Sequence, residues 1–296
     1  MTTKYGNIGL LGRTNAGKST LVNRIVGEAV SIVSNLPQTT RKRALGIYTQ
    51  DDVQIVFCDT PGLHPAKNKL DEWMNSEIAA TLTALDGALY LVDSSDPDLE
   101  SDLAYFAEMP ALKNFPVFLV FSKSDLIDEE KRKKLLEIYE GAFSFKEIYF
   151  ISAHKKKGLF KLLNGIIKIL PEGEFVYNPD EYTTQTEREM VEEYIREAVL
   201  RMYRQEVPHS VTVEVNEFKE RENGKTYIDA VIYAEKESHK KILIGKSGTS
   251  IKKVGETARI KLNKTLGRDI YLSLWVKIRQ NWRSSEEWIK RLGYKK

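Results

Sequence analysis

The sequence predicts an α/β domain with a mainly parallel sheet and helices on both faces, followed by a smaller α+β domain. Three observations indicate this: alternating apolar runs and amphipathic stretches in the first half, a non-periodic segment containing proline, glycine and asparagine after it, and a change of net charge beyond that segment. With 296 residues and 42% hydrophobic content, the chain can bury two cores. We assign residues 1–172 to the first domain, 173–183 to a linker and 184–296 to the second domain.

Five short runs of β-branched and aromatic residues predict the strands of the first domain. Each run is followed by a turn and then by a helical pattern, which is typical of a parallel sheet covered on both faces. The runs are IGLLG, VQIVFCD, GALYLVD, VFLVFSK and EIYFISA. Ligands of such sheets bind beyond the carboxyl ends of the strands, so we expect the functional residues directly after these runs.

The second half has a different order of elements. Its patterns predict helix, strand, strand, helix, helix and strand, with a short basic tail at the end. The first helix is expected over 187–205, a turn at Glu222-Asn223-Gly224 joins the first two strands, and GKSG at 245–248 joins the two middle helices. This order predicts a small sheet packed against helices.

The composition argues against several classes of protein. A single cysteine, Cys58, excludes an internal disulfide framework and leaves too few thiolates for a zinc site, and we expect it to be a buried strand residue. No stretch of about 18 apolar residues occurs, and the polar start MTTKYGN lacks the features of a secretory signal. We therefore expect a cytoplasmic protein.

Charge is distributed unevenly between the two halves. Residues 184–296 carry 24 lysines and arginines against 17 aspartates and glutamates, whereas the preceding residues carry 21 against 25. From Ser238 onward the numbers are 16 and 4. Such a surplus is typical of proteins that bind polyanions, although surface lysines that only keep a protein in solution are the simpler alternative.

The segment GRTNAGKS, from Gly12 to Ser19, fits the phosphate-binding pattern GxxxxGKS, and we call it the P-loop. It lies between a predicted strand and a predicted helix, where its glycines allow backbone N–H groups to surround phosphate oxygens. Lys18 is expected to contact the outer phosphates, and the Ser19 hydroxyl to coordinate Mg²⁺. Thr20 also fits an ordinary helix position. The expected nucleotide-binding residues are Gly12, Arg13, Thr14, Asn15, Ala16, Gly17, Lys18, Ser19 and Thr20.

A second phosphate element, DTPG, follows the run VQIVFC. An acid at a strand end above the phosphate site suits the Mg²⁺-associated aspartate of nucleotide-hydrolysing enzymes, and a glycine there offers its backbone N–H to a γ-phosphate. Alone this tetrapeptide is an ordinary turn, but its place after the P-loop favours a functional interpretation. The expected nucleotide-binding residues are Asp59, Thr60, Pro61 and Gly62.

Two further segments occupy the positions where GTPases carry the base-reading motifs NKxD and SAK. A carboxylate at Asp125 accepts hydrogen bonds from N1–H and the exocyclic amine of guanine, whereas adenine would leave it without partners. Lys123 is expected along the base, and Ala153 to present its N–H to the guanine oxygen. Ser122 replaces the usual asparagine, so we expect a weaker link from this loop to the purine edge and to the P-loop, and His154 is expected to pack or to face solvent. The segments are Ser122-Lys123-Ser124-Asp125, which we call the base-reading loop, and Ser152-Ala153-His154.

Four segments together resemble the Era family of bacterial ribosome-assembly GTPases, over nearly the full length of the chain. They are GRTNAGKSTLVN, PQTTRKR, DTPGLHPAKNKL and QNWRSSEEWIKRLGY. The resemblance implies a P-loop GTPase that hydrolyses GTP to GDP and phosphate with Mg²⁺, with Thr40 as the switch-one threonine and Thr39 as the alternative. It also implies small-subunit ribosomal RNA and the pre-ribosomal small subunit as partners. Catalytic roles would fall to Lys18, Thr40 and Gly62, and the metal ligands would be Ser19, Thr40 and Asp59.

The residues after DTPG differ from those of many switch GTPases. Leu63 and His64 follow Gly62, where a water-orienting glutamine often stands. Leu63 cannot orient water by hydrogen bonding, so we expect slow intrinsic hydrolysis, and we expect His64 to be an ordinary loop histidine rather than a general base. Asn15 resembles the asparagine of GTPases that recruit K⁺ beside the phosphates, and a purely structural asparagine is the alternative.

The second half resembles a type II KH domain, an RNA-binding fold. Its GKSG segment would be the GxxG clamp, with Lys246 neutralising phosphate. Ile242, Ile244, Ile251 and Val254 are expected to line an apolar groove for unstacked bases. The expected RNA-binding residues are Ile244, Gly245, Lys246, Ser247, Gly248, Ile251, Lys252 and Lys253.

Two tryptophans near the C-terminus require a choice between packing and base stacking. Trp275 alternates within the last predicted strand, and we expect it in the core. Trp282, next to Arg279 and Arg283, fits packing and base stacking equally.

These observations predict an enzyme that acts as a timer. GTP and Mg²⁺ would order the loops at Thr40 and Gly62, this state would favour RNA-bound pre-ribosome, and hydrolysis would release it. The alternatives are a constitutive RNA-binding chaperone with structural nucleotide, and a switch bound peripherally by its basic tail to the inner face of the cell membrane. The oligomeric state is left open, with a monomer as the default.

Overall fold

The computed structural model describes residues 2–34, 36, 39–62, 66–221 and 224–294. The chain divides into two units. The first comprises Met1–Ser31, Thr40–Pro65 and Met74–Thr184, and the second comprises Ile32–Thr39, Ala66–Trp73 and Gln185–Lys296. Two short segments from the first half of the chain therefore group with the C-terminal residues, which the sequence patterns did not indicate.

A six-stranded sheet forms the centre of the first unit. Its strands are β1 (Lys4–Leu11), β2 (Ala44–Gln50), β3 (Val53–Asp59), β4 (Gly87–Asp93), β5 (Val117–Ser122) and β6 (Ile148–Phe150). Their order is β2-β3-β1-β4-β5-β6, and all neighbours are parallel except β2 and β3. The helices are α1 (Lys18–Val26), α2 (Lys69–Thr81), α3 (Leu99–Glu108), α4 (Glu129–Tyr139) and α5 (Leu159–Ile169). The five predicted strands are confirmed, and β2 is the strand that the patterns missed.

Both faces of this sheet are covered, as its uninterrupted apolar strands predict. In β4, Leu89 and Leu91 belong to a buried cluster with residues of α1 and α5. Ala88, Tyr90 and Val92 belong to a second cluster with residues of α3 and α4. Because successive strand residues point to opposite faces, the two clusters lie on the two sides of the sheet. The carboxyl ends of its parallel strands remain as the place for a ligand.

The segment expected to be a linker is hydrogen-bonded to the first unit. The side-chain oxygen of Gln54 accepts from the backbone N–H groups of Val176 and Tyr177, each at 3.0 Å, and its amide N–H donates to the Tyr177 carbonyl at 2.9 Å. The backbone N–H of Ile47 donates to the carbonyl of Tyr182 at 2.9 Å. A non-periodic sequence does not reveal such long-range partners, and the domain boundary stays a prediction.

The second unit confirms the predicted order of helix, strand, strand, helix, helix and strand. Its elements are α6 (Glu187–Met202), β7 (Thr212–Glu220), β8 (Thr226–Ala234), α7 (Glu237–Ile244), α8 (Thr249–Leu266), β9 (Ile270–Ile278) and α9 (Glu286–Arg291). The central strand β8 pairs antiparallel with β7 and parallel with β9. The first helix ends at Met202 rather than Gln205, and Glu222 and Asn223 of the predicted turn lie outside the described residues.

Two expectations from the composition can be compared with the structure. Cys58 is buried within β3, and burial raises the pKa of its thiol to about 11, so the thiol stays protonated at neutral pH. Within the described ranges, no helix combines the length and the apolar character that a membrane span requires.

Candidate nucleotide site and nucleic-acid groove

The P-loop connects β1 to α1. Gly12 and Gly17 have φ angles of 123° and 93°. A β-carbon at Gly12 would lie 2.3 Å from the carbonyl oxygen of Leu91, so only glycine fits there. Gly17 is the residue before α1, so the unpaired N–H groups of the first helical turn face the P-loop. This arrangement is suited to binding an anion.

Lys18 is buried at the start of α1. Its Nζ donates to the carbonyl oxygens of Gly12 and Arg13, at 2.9 and 2.8 Å. Burial lowers the pKa of Lys18 to about 8, and the nearby Asp59 carboxylate partly offsets this effect. A phosphate beside Nζ would favour the charged lysine, so anion binding and protonation of Lys18 support each other.

The structure brings together the three residues expected to hold Mg²⁺. Ser19 Oγ and Thr40 Oγ1 are 3.0 Å apart, and Thr40 Oγ1 lies 3.5 Å from Oδ2 of Asp59. The Thr39 hydroxyl instead donates to the carbonyl of Leu36 at 2.6 Å. Of the two threonines in the predicted loop, Thr40 is therefore the one beside the P-loop.

The Asp59 carboxylate suits a hard cation. It is fully buried, and burial raises its pKa, an effect that the Ser19 hydroxyl and the Lys18 charge oppose. Its Oδ1 has no hydrogen-bond partner among the described residues. Mg²⁺ prefers oxygen ligands, and a buried carboxylate oxygen without a partner requires one. The hydroxyls of Ser19 and Thr40 and the carboxylate of Asp59 therefore fit this ion.

The DTPG turn packs against the P-loop. Thr60 Oγ1 donates to the carbonyl of Leu10 at 2.7 Å, which ties the turn to β1. A β-carbon at Gly62 would lie 2.9 Å from the backbone nitrogen of Thr14, so a larger residue would displace the P-loop. Glycine thus allows the close approach that a γ-phosphate contact requires. Leu63 and His64 lie outside the described residues.

The base-reading loop begins at the end of β5 and is fastened on both sides. Lys123 has a left-handed φ of 51°, and its Nζ lies 2.5 Å from Oδ2 of Asp93, at the end of β4. On the other side, the backbone N–H of Ser124 donates to the carbonyl of Ile151 at 3.0 Å. Asp93 was not among the predicted site residues, although an acid at the carboxyl end of a predicted parallel strand was the available signal.

Ser122 keeps the link to the P-loop that its short side chain was expected to weaken. Its Oγ donates to the carbonyl of Ala16 at 2.7 Å. The Ser122 carbonyl accepts from the backbone N–H of Ser94 at 3.1 Å and also from the Ser94 hydroxyl. The link on the P-loop side is therefore present, because the end of β5 lies close enough for a hydroxyl to reach.

Asp125 is exposed and is positioned by Ser152. A hydrogen bond from the Ser152 hydroxyl lowers the pKa of Asp125, so its carboxylate is ionised and accepts hydrogen bonds at neutral pH. Ser152 is buried, and its Oγ accepts from the backbone N–H of Lys155 at 3.0 Å. Ala153 is half-buried beside it, and His154 is exposed, as one of its two expected placements requires.

In the second unit, the GKSG segment forms the turn between α7 and α8. Gly245, Ser247 and Gly248 have positive φ angles of 72°, 51° and 79°. A β-carbon at Gly245 would lie 2.2 Å from Oγ of Ser250. Lys246 and Ser247 are exposed at the tip of the turn. The turn can therefore approach a nucleic-acid backbone closely and neutralise a phosphate.

A groove of about 310 Å³ opens between α8 and β9, and we call it the α8–β9 groove. Its lining residues are Ile251, Lys252, Gly255, Glu256, Arg259, Tyr271, Leu272 and Leu274. A β-carbon at Gly255 would lie 3.4 Å from Cδ1 of Leu274, so the helix approaches the strand closely at this glycine. Apolar and aromatic side chains with two cationic residues suit unstacked bases and their phosphates.

The residues that line the α8–β9 groove differ in part from those predicted to line an apolar groove. Ile251 lines it as expected, but Val254 is fully buried in the core, and Ile242 and Ile244 do not line it. Lys253 is likewise not a lining residue. One apolar face of α8 turns into the core, and the missing wall is supplied by β9, which is far away in the sequence.

The structure contradicts the expectation for Trp275 and decides between the two alternatives for Trp282. Trp275 is 60% exposed and donates its indole N–H to Oδ1 of Asp229 at 2.9 Å, so its predicted core position is wrong. Trp282 is fully buried and donates its N–H to the carbonyl of Ser210 at 2.9 Å. Trp282 therefore packs in the core and does not stack on bases.

Family models identify the class of protein that these two sites define. A model described as a 50S ribosome-binding GTPase matches residues 7–123, and a model described as a KH domain matches residues 206–283. The chain is therefore a P-loop GTPase followed by a KH domain.

Similarity to known proteins identifies the family. GTPase Era of Ruminiclostridium cellulolyticum is 41% identical over 295 residues, which cover 100% of this chain and 99% of that protein. GTPase Era of Lactobacillus helveticus is 43% identical over 293 residues, which cover 99% and 97%. Two crystal structures have a TM-score of 0.94 at 35% identity and cover 99% of both chains: a variant of Aquifex aeolicus Era bound to GDP.AlF4-, and Era in complex with MgGDPNP and nucleotides 1506–1542 of 16S ribosomal RNA. The chain belongs to the GTPase Era family.

Proposed function

We propose that this GTPase is a timed RNA binder: its GTP-bound state binds small-subunit ribosomal RNA during maturation of the small ribosomal subunit, and hydrolysis releases it. The observation that carries the proposal is the 3.0 Å approach of Thr40 Oγ1 to Ser19 Oγ. This contact places the loop that contains Thr40 beside the phosphate site, where the loop can respond to the bound nucleotide. The GKSG turn of the same chain supplies a surface for RNA.

The residues of the nucleotide site would have separate tasks. Lys18 would hold the outer phosphates, and the backbone N–H of Gly62 would bind the γ-phosphate. Ser19, Thr40 and Asp59 would hold Mg²⁺, which neutralises charge on the phosphate oxygens when bound. Because Thr40 and Gly62 both depend on the γ-phosphate, loss of this group frees both loops.

The RNA partner is proposed from the KH fold and from a relative. One Era structure holds nucleotides 1506–1542 of 16S ribosomal RNA. In this chain, Gly245 and Gly248 would let a nucleic-acid backbone approach, Lys246 and Lys252 would neutralise phosphates, and the groove beside Tyr271 would take unstacked bases. The basic surplus of the C-terminal residues supports an anionic partner.

Single-turnover GTP hydrolysis, measured with and without small-subunit ribosomal RNA, tests this function. A timer whose hydrolysis is coupled to RNA should hydrolyse GTP at a different rate when RNA is bound, because RNA that binds one arrangement of the Thr40 and Gly62 loops better shifts the population of that arrangement. A constitutive RNA-binding chaperone with structural nucleotide would show the same rate in both conditions.

Replacing Asp125 with asparagine should exchange guanine for xanthine as the preferred base. The amide N–H would face the guanine donors, whereas xanthine presents an oxygen in place of the exocyclic amine. We expect at least 100-fold weaker GDP binding, about 3 kcal/mol, and xanthosine diphosphate bound more tightly than GDP. Titrations with GDP, xanthosine diphosphate and ADP measure this.

The control for that experiment is Asp180→Asn, an exposed aspartate outside the site, which should leave all three affinities unchanged. If the native protein binds ADP as tightly as GDP, Ser122-Lys123-Ser124-Asp125 does not read the base.

Potassium should accelerate hydrolysis through Asn15. This residue is exposed in the P-loop with a left-handed φ of 65°, where its side chain can help to hold a cation beside the phosphates. We expect at least fivefold faster single-turnover hydrolysis in K⁺ than in Na⁺. Asn15→Gly suits the same backbone conformation and should keep GDP binding but lose the difference. Equal rates of the native protein in the two salts would remove this role.

We also propose that the nucleotide-binding residues lie within residues 1–172 and the RNA-binding residues within 184–296, joined by 173–183. The protein would act in the cytoplasm, where its proposed RNA partner is assembled into subunits. A monomer suffices for this function, since each chain carries both surfaces.

A further inference from the structure

The hydroxyl of Ser122 has a fixed hydrogen-bond role at the edge of the nucleotide site. The residue is 5% exposed, and its Oγ donates to the carbonyl of Ala16 at 2.7 Å. A β-carbon built on Gly17 would lie 3.5 Å from this Oγ, so the hydroxyl also packs against the next P-loop residue. A serine hydroxyl carries a single hydrogen, and here that hydrogen is used within the protein.

The residue type at this position decides whether a donor is left for the base. An asparagine amide has two N–H donors and one oxygen, so it could satisfy the Ala16 carbonyl and still donate to a ligand. Serine cannot do both. The part of a guanine nucleotide nearest the P-loop is its imidazole ring, which is attached to the ribose, and the free acceptor of that ring is nitrogen 7.

We propose that this GTPase recognises guanine without a side-chain hydrogen bond to nitrogen 7, because Ser122 commits its only donor to the P-loop. Specificity then depends on the edge of the base that faces Asp125, and Ser122 is a positioning residue that holds the base-reading loop against the P-loop. The inference rests on the proposed nucleotide site and adds that nitrogen 7 of the purine accepts no hydrogen bond from a side chain of that site.

The direct test compares GDP with 7-deaza-GDP, in which a C–H group replaces nitrogen 7, on the native full-length protein in Mg²⁺. We expect the two dissociation constants to agree within twofold. A 7-deaza-GDP affinity tenfold or more below that of GDP would overturn the proposal, since it would require a protein donor at nitrogen 7.

Two substitutions at the same position extend the test. Ser122→Ala leaves the Ala16 carbonyl unsatisfied, so both nucleotides should lose the same factor, about tenfold, and their ratio should stay near one. A larger loss for GDP than for 7-deaza-GDP would show that the hydroxyl contacts nitrogen 7 and would overturn the proposal. Ser122→Asn should supply the missing donor and make the protein prefer GDP by about fivefold, the worth of one neutral hydrogen bond. A folded Ser122→Asn protein that binds both nucleotides equally would contradict the assignment of this position to nitrogen 7.

ADP in the same titrations separates this inference from the nucleotide site itself. Failure to bind GDP, or equal binding of GDP and ADP, would count against the site and the base-reading loop. Tight GDP binding with rejection of both ADP and 7-deaza-GDP would leave the site intact and overturn only the role of Ser122.

Discussion

Replacing Lys18 with alanine should weaken GTP binding by at least 100-fold. The buried Nζ is the cation that closes the P-loop, where it now donates to the carbonyls of Gly12 and Arg13. A hydrogen bond to a charged group contributes about 1.5 to 3 kcal/mol, and its removal would also leave phosphate charge uncompensated. Ser19→Ala should lower affinity most in the presence of Mg²⁺, because it removes a proposed metal ligand. Titration with a fluorescent GTP analogue, with and without Mg²⁺, measures both effects.

Lys134→Ala is the matched control for the lysine. Lys134 is exposed on α4 and forms an ion pair with Glu130 at 2.7 Å. This substitution should leave GTP affinity unchanged, since a surface pair of this kind is worth less than 1 kcal/mol. Native-like GTP affinity in both Lys18→Ala and Ser19→Ala would show that GRTNAGKS is not the phosphate site.

Replacing Lys246 and Ser247 together with aspartate should weaken RNA binding by at least 100-fold and leave GTP binding unaltered. The exposed tip of the GKSG turn is the proposed contact with the RNA backbone, and each like-charge contact near a protein surface costs between about 1 and 4 kcal/mol. The glycines that allow the close approach, Gly245 and Gly248, stay in place. Aspartate also tolerates the left-handed conformation of residue 247 better than most residues, so the turn should persist.

The matched control is Lys236→Asp with Ser238→Asp. These exposed residues lie at the opposite end of α7, and the pair makes the same change of charge. If both double mutants lose RNA affinity equally, general charge rather than the GKSG turn explains binding. The native protein should also show a log affinity that falls with log salt by about 0.7 per neutralised phosphate of a single strand.

Sequence patterns were sufficient to predict those parts of the structure that are formed by residues adjacent in the chain. The P-loop is one continuous segment, so its strand, its glycines and Lys18 could be predicted from eight letters and their surroundings. Strand β2 escaped prediction because Gly46 interrupts its pattern. A β-carbon at Gly46 would lie 2.5 Å from Cγ1 of Val22, so the need for this glycine arises from packing on α1, which the run ALGIYTQ does not show.

Contacts between distant residues account for the other differences. Ser122 was expected to weaken the link to the P-loop because side-chain length was known and the position of β5 was not. The wall of the apolar groove was predicted from residues of α7 and α8 on either side of GKSG, whereas Tyr271 and Leu274 come from β9, a strand further along the chain. Alternation in β9 indicated which residues share a face, but not that the face of Trp275 is left uncovered.

The proposed timer requires that RNA affinity depend on the bound nucleotide. The most direct measurement is the affinity of the full-length protein for a labelled RNA corresponding to nucleotides 1506–1542 of 16S ribosomal RNA, once in MgGDPNP and once in MgGDP. We expect at least tenfold tighter binding in MgGDPNP, and loss of this difference in Thr40→Val, which removes the hydroxyl beside Ser19. Equal affinities of the native protein in the two nucleotides would contradict the switch and leave an RNA-binding protein whose nucleotide is only structural.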